Sequence, residues 1–377
     1  MKQKRILPDG LIVYGGLSLL FLLGVAAFLF PTDFSVWERR FLAEAPANYS
    51  LTDWTLQNDL EAYLSDQIPF RRALVNTHAI LETATGRAVQ LDAWPQIDGE
   101  GSLRFIEKPV SADSEAVQKR IDALNSLAGD LPHWFLTPPT AGSLLRDRMT
   151  GVRSAVYDEE TALYKKVFQQ ENAVQVLVDF AVTTNAGLYF RTDHHWNLSG
   201  AWTAYQCYCE AAGLTPAAES QFSWVTGNDA PRFFGTTYSR SGLPFATADA
   251  LAYAEPLFPV TLRILDDNTE YDRLIFPEEA DTYDGYAIFL KGNHGLIEIE
   301  NPAAPERTLF VCKDSFANCV LPFLAANYSR IAAADARYLS GTLNQALAAA
   351  GEVDDVLFIY SLDSLASDTS ILRKIKR

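Results

Sequence analysis

The stretch from Leu11 to Phe30 limits this chain more than any other, because twenty consecutive residues pass without a charged side chain. A helix of that length spans about 30 Å at 1.5 Å per residue, the thickness of a bilayer's hydrocarbon layer. Lys2, Lys4 and Arg5 precede the run. The positive-inside bias then predicts a cytoplasmic N-terminus and an exported remainder. Phe28-Leu29-Phe30-Pro31 offers no small-residue cleavage site and the run exceeds a usual signal core, so a retained single-pass anchor is expected rather than a removed leader. Gly15, Gly16 and Gly24 would let helices pack closely, but such glycines are common in membrane helices and predict no dimer.

With 377 residues and 48% hydrophobic content, the chain has material for a sizeable core in one or two domains. Its net charge of −16 understates the acidity of the exported part. Lys2, Lys4, Arg5, Arg373, Lys374, Lys376 and Arg377 hold seven of the 31 basic residues. An acidic exterior argues against nucleic acid and against an anionic membrane surface as partners. The four cysteines form two close pairs, Cys207/Cys209 and Cys312/Cys319, without a C-x-x-C motif or zinc spacing. Export permits disulfides, yet Cys207 and Cys209 lie two apart on a predicted helix and face different ways. Buried free thiols are expected.

Four segments follow: a basic tail over 1–10, the anchor over 11–30, a helical lead-in over 31–87, and an α/β domain over 88–377. The lead-in carries apolar residues at helical spacing, among them Leu56, Leu60, Tyr63 and Leu64. In the last segment, strands are predicted at Trp134–Leu136, Val174–Phe180, Leu309–Cys312, Ile331–Ala333 and Val356–Tyr360. Helices are predicted at Glu115–Leu127, Asp158–Gln170, Gly200–Ala212, Asn318–Tyr328 and Leu343–Ala350, with Gly213 and Gly351 as stops. The alternation predicts a mainly parallel sheet flanked by helices. Residues 214–302 break the pattern and read as a β-rich insertion, with short strands at Leu262–Leu265 and Ala287–Leu290.

Chemistry concentrates first at Asp193-His194-His195-Trp196, which holds two of only five histidines. In an extended chain Asp193 and His195 project to one side and His194 to the other. A carboxylate beside an imidazole fixes its tautomer and stabilises the imidazolium, which suits a general base. Two other uses are open. Asp193 and Ser199 could cap the helix that starts near Gly200, or Asp193, His194 and His195 could ligate zinc or manganese. Adjacent histidines on a strand diverge, which weakens the metal option, and His78, His133 and His294 are the only others.

The second concentration is Lys313-Asp314-Ser315 at the junction of an apolar strand and an apolar helical pattern. A strand-to-helix turn exposes a hydroxyl at the carboxyl edge of the sheet, beside the first amides of the helix. That is what a serine nucleophile and an oxyanion need. Asp314 or Ser315 could instead serve only as a helix cap. Asp193, His195 and Ser315 together supply one residue for each role of an acid-base-nucleophile set, whose order along a chain is free.

These residues resemble a known family. Asp193-His194-His195-Trp196 is the signature of the bacterial DHHW proteins, which are related to the alginate O-acetyltransferases and share an SGNH-hydrolase-like fold. Trp37-Glu38-Arg39-Arg40-Phe41-Leu42 with Pro46, and Leu64-Ser65-Asp66-Gln67-Ile68-Pro69-Phe70-Arg71, resemble the family's N-terminal pattern. Phe234-Gly235-Thr236-Thr237-Tyr238-Ser239-Arg240-Ser241-Gly242 resembles its middle motif, and Lys313 to Asn318 with Asp335-Ala336-Arg337-Tyr338 its C-terminal ones. Lys313 stands where such a hydrolase usually has glycine, and Glu38-Arg39-Arg40 replaces an acid-Asn-Arg pattern.

The resemblance implies an SGNH-like domain in which Asp193 orients, His195 is the base and Ser315 the nucleophile. Gly235 would line the oxyanion hole, Asn318 would face the same pocket, and Trp196 would pack the turn. It further implies an extracytoplasmic O-acyltransferase or esterase for a cell-envelope polysaccharide, without a metal or other cofactor. Because acyl-CoA is not available outside the cell, an integral-membrane partner would deliver the acyl group. A non-catalytic envelope scaffold or glycan-binding protein on the same fold, and a metal-dependent hydrolase, are the alternatives.

Overall fold

The apolar run forms a 21-residue helix, Asp9–Leu29, which opens the computed structural model. The model describes residues 9–46, 55–87, 91–97, 101–109, 113–145, 158–167, 169–170, 172–174 and 186–375. Lys2, Lys4, Arg5, Lys376, Arg377 and most of the predicted Val174–Phe180 strand lie outside the described residues. Contacts divide the chain into two compact units, Met1–Arg87 with Gly242–Pro244, and Ala88–Ser241 with Phe245–Arg377.

In the first unit the helix is apolar on every side, its described side chains are almost all exposed, and it is long and apolar enough to cross a membrane. Near its end Ala27 is buried, and its carbonyl accepts from the Tyr63 hydroxyl at 3.0 Å. The lead-in is less helical than its spacing predicts. Residues 34–41 make a small antiparallel hairpin, Phe34–Ser35 with Arg40–Phe41, turned by Arg39 in the left-handed region. Helices Thr55–Gln67 and Arg71–Ala84 follow, parted at Pro69 and Phe70. Arg40 and Arg71 pair with Glu38 and Asp66, so the two N-terminal stretches of the family pattern form one ion-pair cluster.

The second unit is built on a seven-stranded sheet. Its strands are β1 His133–Leu136, β2 Thr261–Ile264, β3 Thr269–Tyr271, β4 Leu296–Glu300, β5 Thr308–Lys313, β6 Arg330–Ala334 and β7 Asp355–Ile359. Their order is β3-β2-β4-β6-β5-β7-β1. The pairs β6/β5, β5/β7 and β7/β1 are parallel, while β2/β3, β2/β4 and β4/β6 are antiparallel. The sheet is therefore mixed, not mainly parallel. The difference arises in the β-rich stretch 214–302, which extends the sheet with three antiparallel strands.

Strand β5 is buried along nearly its whole length, as a central strand covered on both faces must be. Leu309 and Val311 enter one apolar cluster and Phe310 and Cys312 the other, following the period of two. Helix Ser114–Ala128 packs Val117, Ile121 and Leu124 into the second cluster, and helix Leu198–Ala211 packs Ala201, Ala204 and Tyr208 into the first. All four cysteines are buried free thiols.

Two predicted elements take other forms. Asn318–Tyr328 is not one helix but a 3₁₀ turn, Ser315–Cys319, and a short helix, Leu321–Leu324. Pro322, without an N–H, sits at the start of that helix and prevents one continuous ladder. Ala287–Leu290 is not a strand: Gly285–Ile288 is a 3₁₀ turn, and Ile288, Phe289 and Leu290 are all buried instead of alternating.

Candidate active site

The Asp193 segment is held from behind before it can hold anything itself. Residues 191–195 form a series of bends, and Asp249 accepts from the backbone N–H groups of Arg191 at 2.9 Å and Thr192 at 2.8 Å and from the Thr192 hydroxyl at 2.6 Å. The helix that follows is capped by Asn197, whose side-chain oxygen accepts from Ser199 and Gly200. Neither Asp193 nor Ser199 is the cap. Asp193 is left for other partners.

Asp193 Oδ1 accepts from the backbone N–H of His195 at 3.0 Å, a local turn that folds the chain back on itself. The same oxygen lies 2.6 Å from His195 Nδ1, so a pair two residues apart is in direct contact. The predicted divergence of the two histidines is lost in this bend. Their ring centroids lie 3.9 Å apart. Tyr286 stacks on His195 at the same centroid distance, with planes 6° apart. Two rings that close cannot share one face, so the imidazole is enclosed between them.

Ser315 begins the 3₁₀ turn at the end of β5 and is half-buried. His195 Nε2 lies 2.8 Å from Ser315 Oγ, completing a chain of hydrogen bonds from Asp193 through His195 to Ser315. Asp314 does cap the turn: its Oδ1 accepts from Phe316 N–H at 3.0 Å. Its Oδ2 accepts from Ser361 N–H and the Ser364 hydroxyl, each at 2.7 Å, which moors the turn to the segment after β7. Trp196 packs under the turn, fully buried, its indole N–H shared by the Phe316 carbonyl and Cys319 Sγ.

Gly235 and Asn318 have tasks other than those expected. The Gly235 N–H donates to the Thr192 hydroxyl at 2.9 Å, behind Asp193. A Cβ on Gly235 would come within 2.1 Å of Asp193 Cβ, so glycine is needed there for close approach. The neighbouring Thr236 N–H then reaches Asp193 Oδ2 at 2.7 Å. Asn318 is buried, accepts from Lys313 Nζ at 2.8 Å, and donates to Asn293 Oδ1 at 3.1 Å. Lys313, in the place of a usual glycine, thus anchors Asn318 below the site, and burial lowers its ammonium pKa.

Ser315 opens into a cleft of about 350 Å³, whose lining includes His194, His195, Thr236, Tyr286, Asn293 and Arg337. Asn293 and Tyr286 come from the aperiodic region and carried no readable pattern. Asn293 follows three residues with positive φ, Leu290 at 58°, Lys291 at 62° and Gly292 at 101°. Two non-glycine residues in that region store about 1–3 kcal/mol each, a kind of strain that gathers at ligand sites. Asn293 is the residue that this turn delivers to the cleft.

Burial would raise the Asp193 pKa, but the adjoining imidazoles and their hydrogen bonds outweigh it and hold the carboxyl far below its usual range. Burial, and then the neighbouring His194, lower His195 to about 4 against the opposing pull of Asp193. At neutral pH the pair is therefore a carboxylate and a neutral imidazole. Asp193, His194 and His195 also bring three possible metal-ligating atoms within 4.8 Å of one another. However, Asp193 Oδ1 and Oδ2 and both His195 nitrogens already have hydrogen-bond partners. The donor set fits proton transfer better than ligation.

A comparison with curated proteins gives no match. Among solved structures, a DHHW family protein from Eubacterium siraeum is similar at 20% identity with a TM-score of 0.60, over 76% of this chain and 96% of that one. PatB1 from Bacillus cereus, solved with a sulfonyl adduct, is similar at 22% identity and a TM-score of 0.60, over 75% of this chain and 99% of that one. At such identities the likeness is one of fold. The model of the DHHW proteins matches residues 151–333, the stretch that contains Asp193, His195 and Ser315. In that match and in the tetrapeptide seated at the cleft, this chain is similar to the DHHW proteins over residues 151–333.

Proposed function

We propose that this chain is a serine O-acyltransferase or esterase of SGNH-like fold, using Asp193, His195 and Ser315 as orienting acid, base and nucleophile. The observation that carries the reading is the unbroken set of contacts at 2.6 Å and 2.8 Å ending on a hydroxyl in an open cleft. The depressed His195 pKa supplies the neutral base this chemistry needs.

Ser315 Oγ attacks the acyl carbonyl carbon while its proton passes to His195 Nε2. Asp193 steadies the imidazolium, and the stacked Tyr286 ring favours its charge. The leaving group takes the proton from Nε2 as its bond to the acyl carbon breaks. A sugar hydroxyl or water then gives its proton to Nε2 and displaces Ser315. For the oxyanion we assign the Ser315 N–H and the Asn293 side-chain amide, since Asp314 occupies the Phe316 N–H and Thr192 the Gly235 N–H.

The Asp9–Leu29 helix would hold the enzyme at the membrane, N-terminus inside and active site outside. An envelope polysaccharide is then the acceptor within reach, and an integral-membrane protein is the source of acyl groups. The test is labelling with phenylmethanesulfonyl fluoride and peptide mapping, paired with turnover of 4-nitrophenyl acetate by Ser315→Ala. A sulfonyl adduct on Ser315, with a folded and inactive variant, is expected. Full turnover in Ser315→Ala would sink the assignment, whereas a wild type that neither labels at Ser315 nor turns over the ester, yet binds glycan, would favour a non-catalytic glycan-binding protein.

A further inference from the structure

In the signature tetrapeptide, His194 is the residue that the acyl-transfer scheme leaves without work. Its side chain is 24% exposed and lines the cleft, yet its Nδ1 is buried and makes no hydrogen bond. That nitrogen sits 3.5 Å from Asp193 Oδ1 and 4.0 Å from Glu107 Oε1. The side chains around it are committed: Asp193 to His195 and Thr236, His195 to Asp193 and Ser315, Trp196 to Phe316 and Cys319. A buried ring nitrogen without a partner in a wet cleft calls for an explanation.

Position supplies one. In a ping-pong acyl transfer the leaving group and the acceptor occupy the same place, because each exchanges its proton with the same His195 Nε2. Both faces of that imidazole are covered, so the acceptor must enter along the cleft, where the wall beside His195 is His194, Glu107, Thr236 and Arg240. Glu107 ends the Leu103–Glu107 strand and is held by Arg240 Nη1 at 3.1 Å, its side chain 27% exposed. Burial raises its carboxyl pKa.

Resting on the acyl-transfer reading above, we propose that His194 and Glu107 form the acceptor subsite. They receive the hydroxyl next to the one being acylated, so that a sugar with vicinal hydroxyls is bound in preference to water. One hydroxyl bonded to both at ordinary hydrogen-bond lengths spans about 4.5 Å, so a small movement of His194 away from Glu107, from the present 4.0 Å, would let it bridge the two, accepting from one and donating to the other. The reaction is unchanged by this contact. The acyl–Oγ bond breaks, the acyl–sugar bond forms, and the sugar proton reaches Ser315 through His195 Nε2.

The test uses the full chain, acylated by 4-nitrophenyl acetate, with methyl glucopyranoside and propan-1-ol as competing acceptors. The inference expects the wild type to favour the glucoside. In His194→Phe and Glu107→Gln, the acceptor KM for the glucoside should rise about 10- to 100-fold, with a much smaller change in the acylation burst and in transfer to propan-1-ol. A burst that falls as far as the transfer rate would mean that His194 only positions His195 and would overturn the subsite. So would a wild type that acylates but shows no preference for the glucoside. Absence of any burst in the wild type would instead strike the acyl-transfer reading itself.

Discussion

The Trp196 indole N–H donates to the Phe316 carbonyl at 3.0 Å, joining residues 120 positions apart in the chain. Each of these residues directly follows a member of the proposed site, His195 on one side and Ser315 on the other. The separation between base and nucleophile is thus set by a neighbouring bond that takes no part in chemistry.

Trp196→Phe keeps an aromatic ring in place but removes the indole N–H, leaving the Phe316 carbonyl with only the Cys319 thiol at 3.5 Å and Cys319 Sγ with only the Tyr286 hydroxyl at 3.1 Å. A loss of about 1–2 kcal/mol in stability is expected, visible as a lower denaturation midpoint. Acylation should slow as well, because the His195–Ser315 contact loosens. A slower burst without any loss of stability would place Trp196 in substrate binding instead.

Asp193→Asn should fold, since the Oδ2 contact with Thr236 N–H can be kept by an amide oxygen. The amide cannot stabilise an imidazolium. Burst kinetics with an activated ester should show acylation slower by roughly 10³- to 10⁴-fold.

Gly235→Ala would push a methyl group into Asp193, whose Cβ is 2.1 Å from the position it would take. Strain of about 1–3 kcal/mol is expected, together with loss of the Thr236–Asp193 bond. Thermal melting and the burst rate should both fall. Retained activity would show that the backbone can yield at this point.

The pH dependence follows from the sign of the His195 shift. Only the neutral imidazole accepts the Ser315 proton, so acylation rises with pH through the His195 pKa and then levels off. With that pKa at about 4, the acid limb should fall well below the usual histidine value of 6.5. Removing the neighbouring imidazole in His194→Gln should move the limb upward, as one cause of the depression is gone. A wild-type limb near 6.5 would contradict the balance of burial and charge described above.

Treatment with EDTA should leave the burst unchanged, because Asp193 and His195 are engaged with each other and with Ser315. Loss of activity that zinc or manganese restores would revive the metal alternative.

What the sequence disclosed was what depends on local pattern. An apolar run, a carboxylate two residues before a histidine, and a serine where strand gives way to turn could all be read from spacing. Asp249, Thr236, Tyr286 and Asn293 could not, for they reach the site by tertiary routes from stretches without a period of two or 3.6. The capping reading failed for a related reason: Asn197, nearer the helix, offered a better-placed oxygen than Asp193. Gly235 was expected to line the oxyanion hole; in the structure its N–H goes to Thr192 and its missing side chain admits Asp193. The bend that brings His194 against His195 depends on one backbone hydrogen bond that an extended-chain argument omits.

The stretch from 261 to 300 contributes β2, β3 and β4 to the sheet, and between β3 and β4 it carries Tyr286 and Asn293 to the cleft. Scaffold and cleft wall are consecutive along one piece of chain. Exchanging this segment between relatives would thus transplant a wall of the cleft together with its own foundation, while Asp193, His195 and Ser315 stay behind on other elements. Under the proposed acyl transfer, one recombination event would change the acceptor without rebuilding the chemistry.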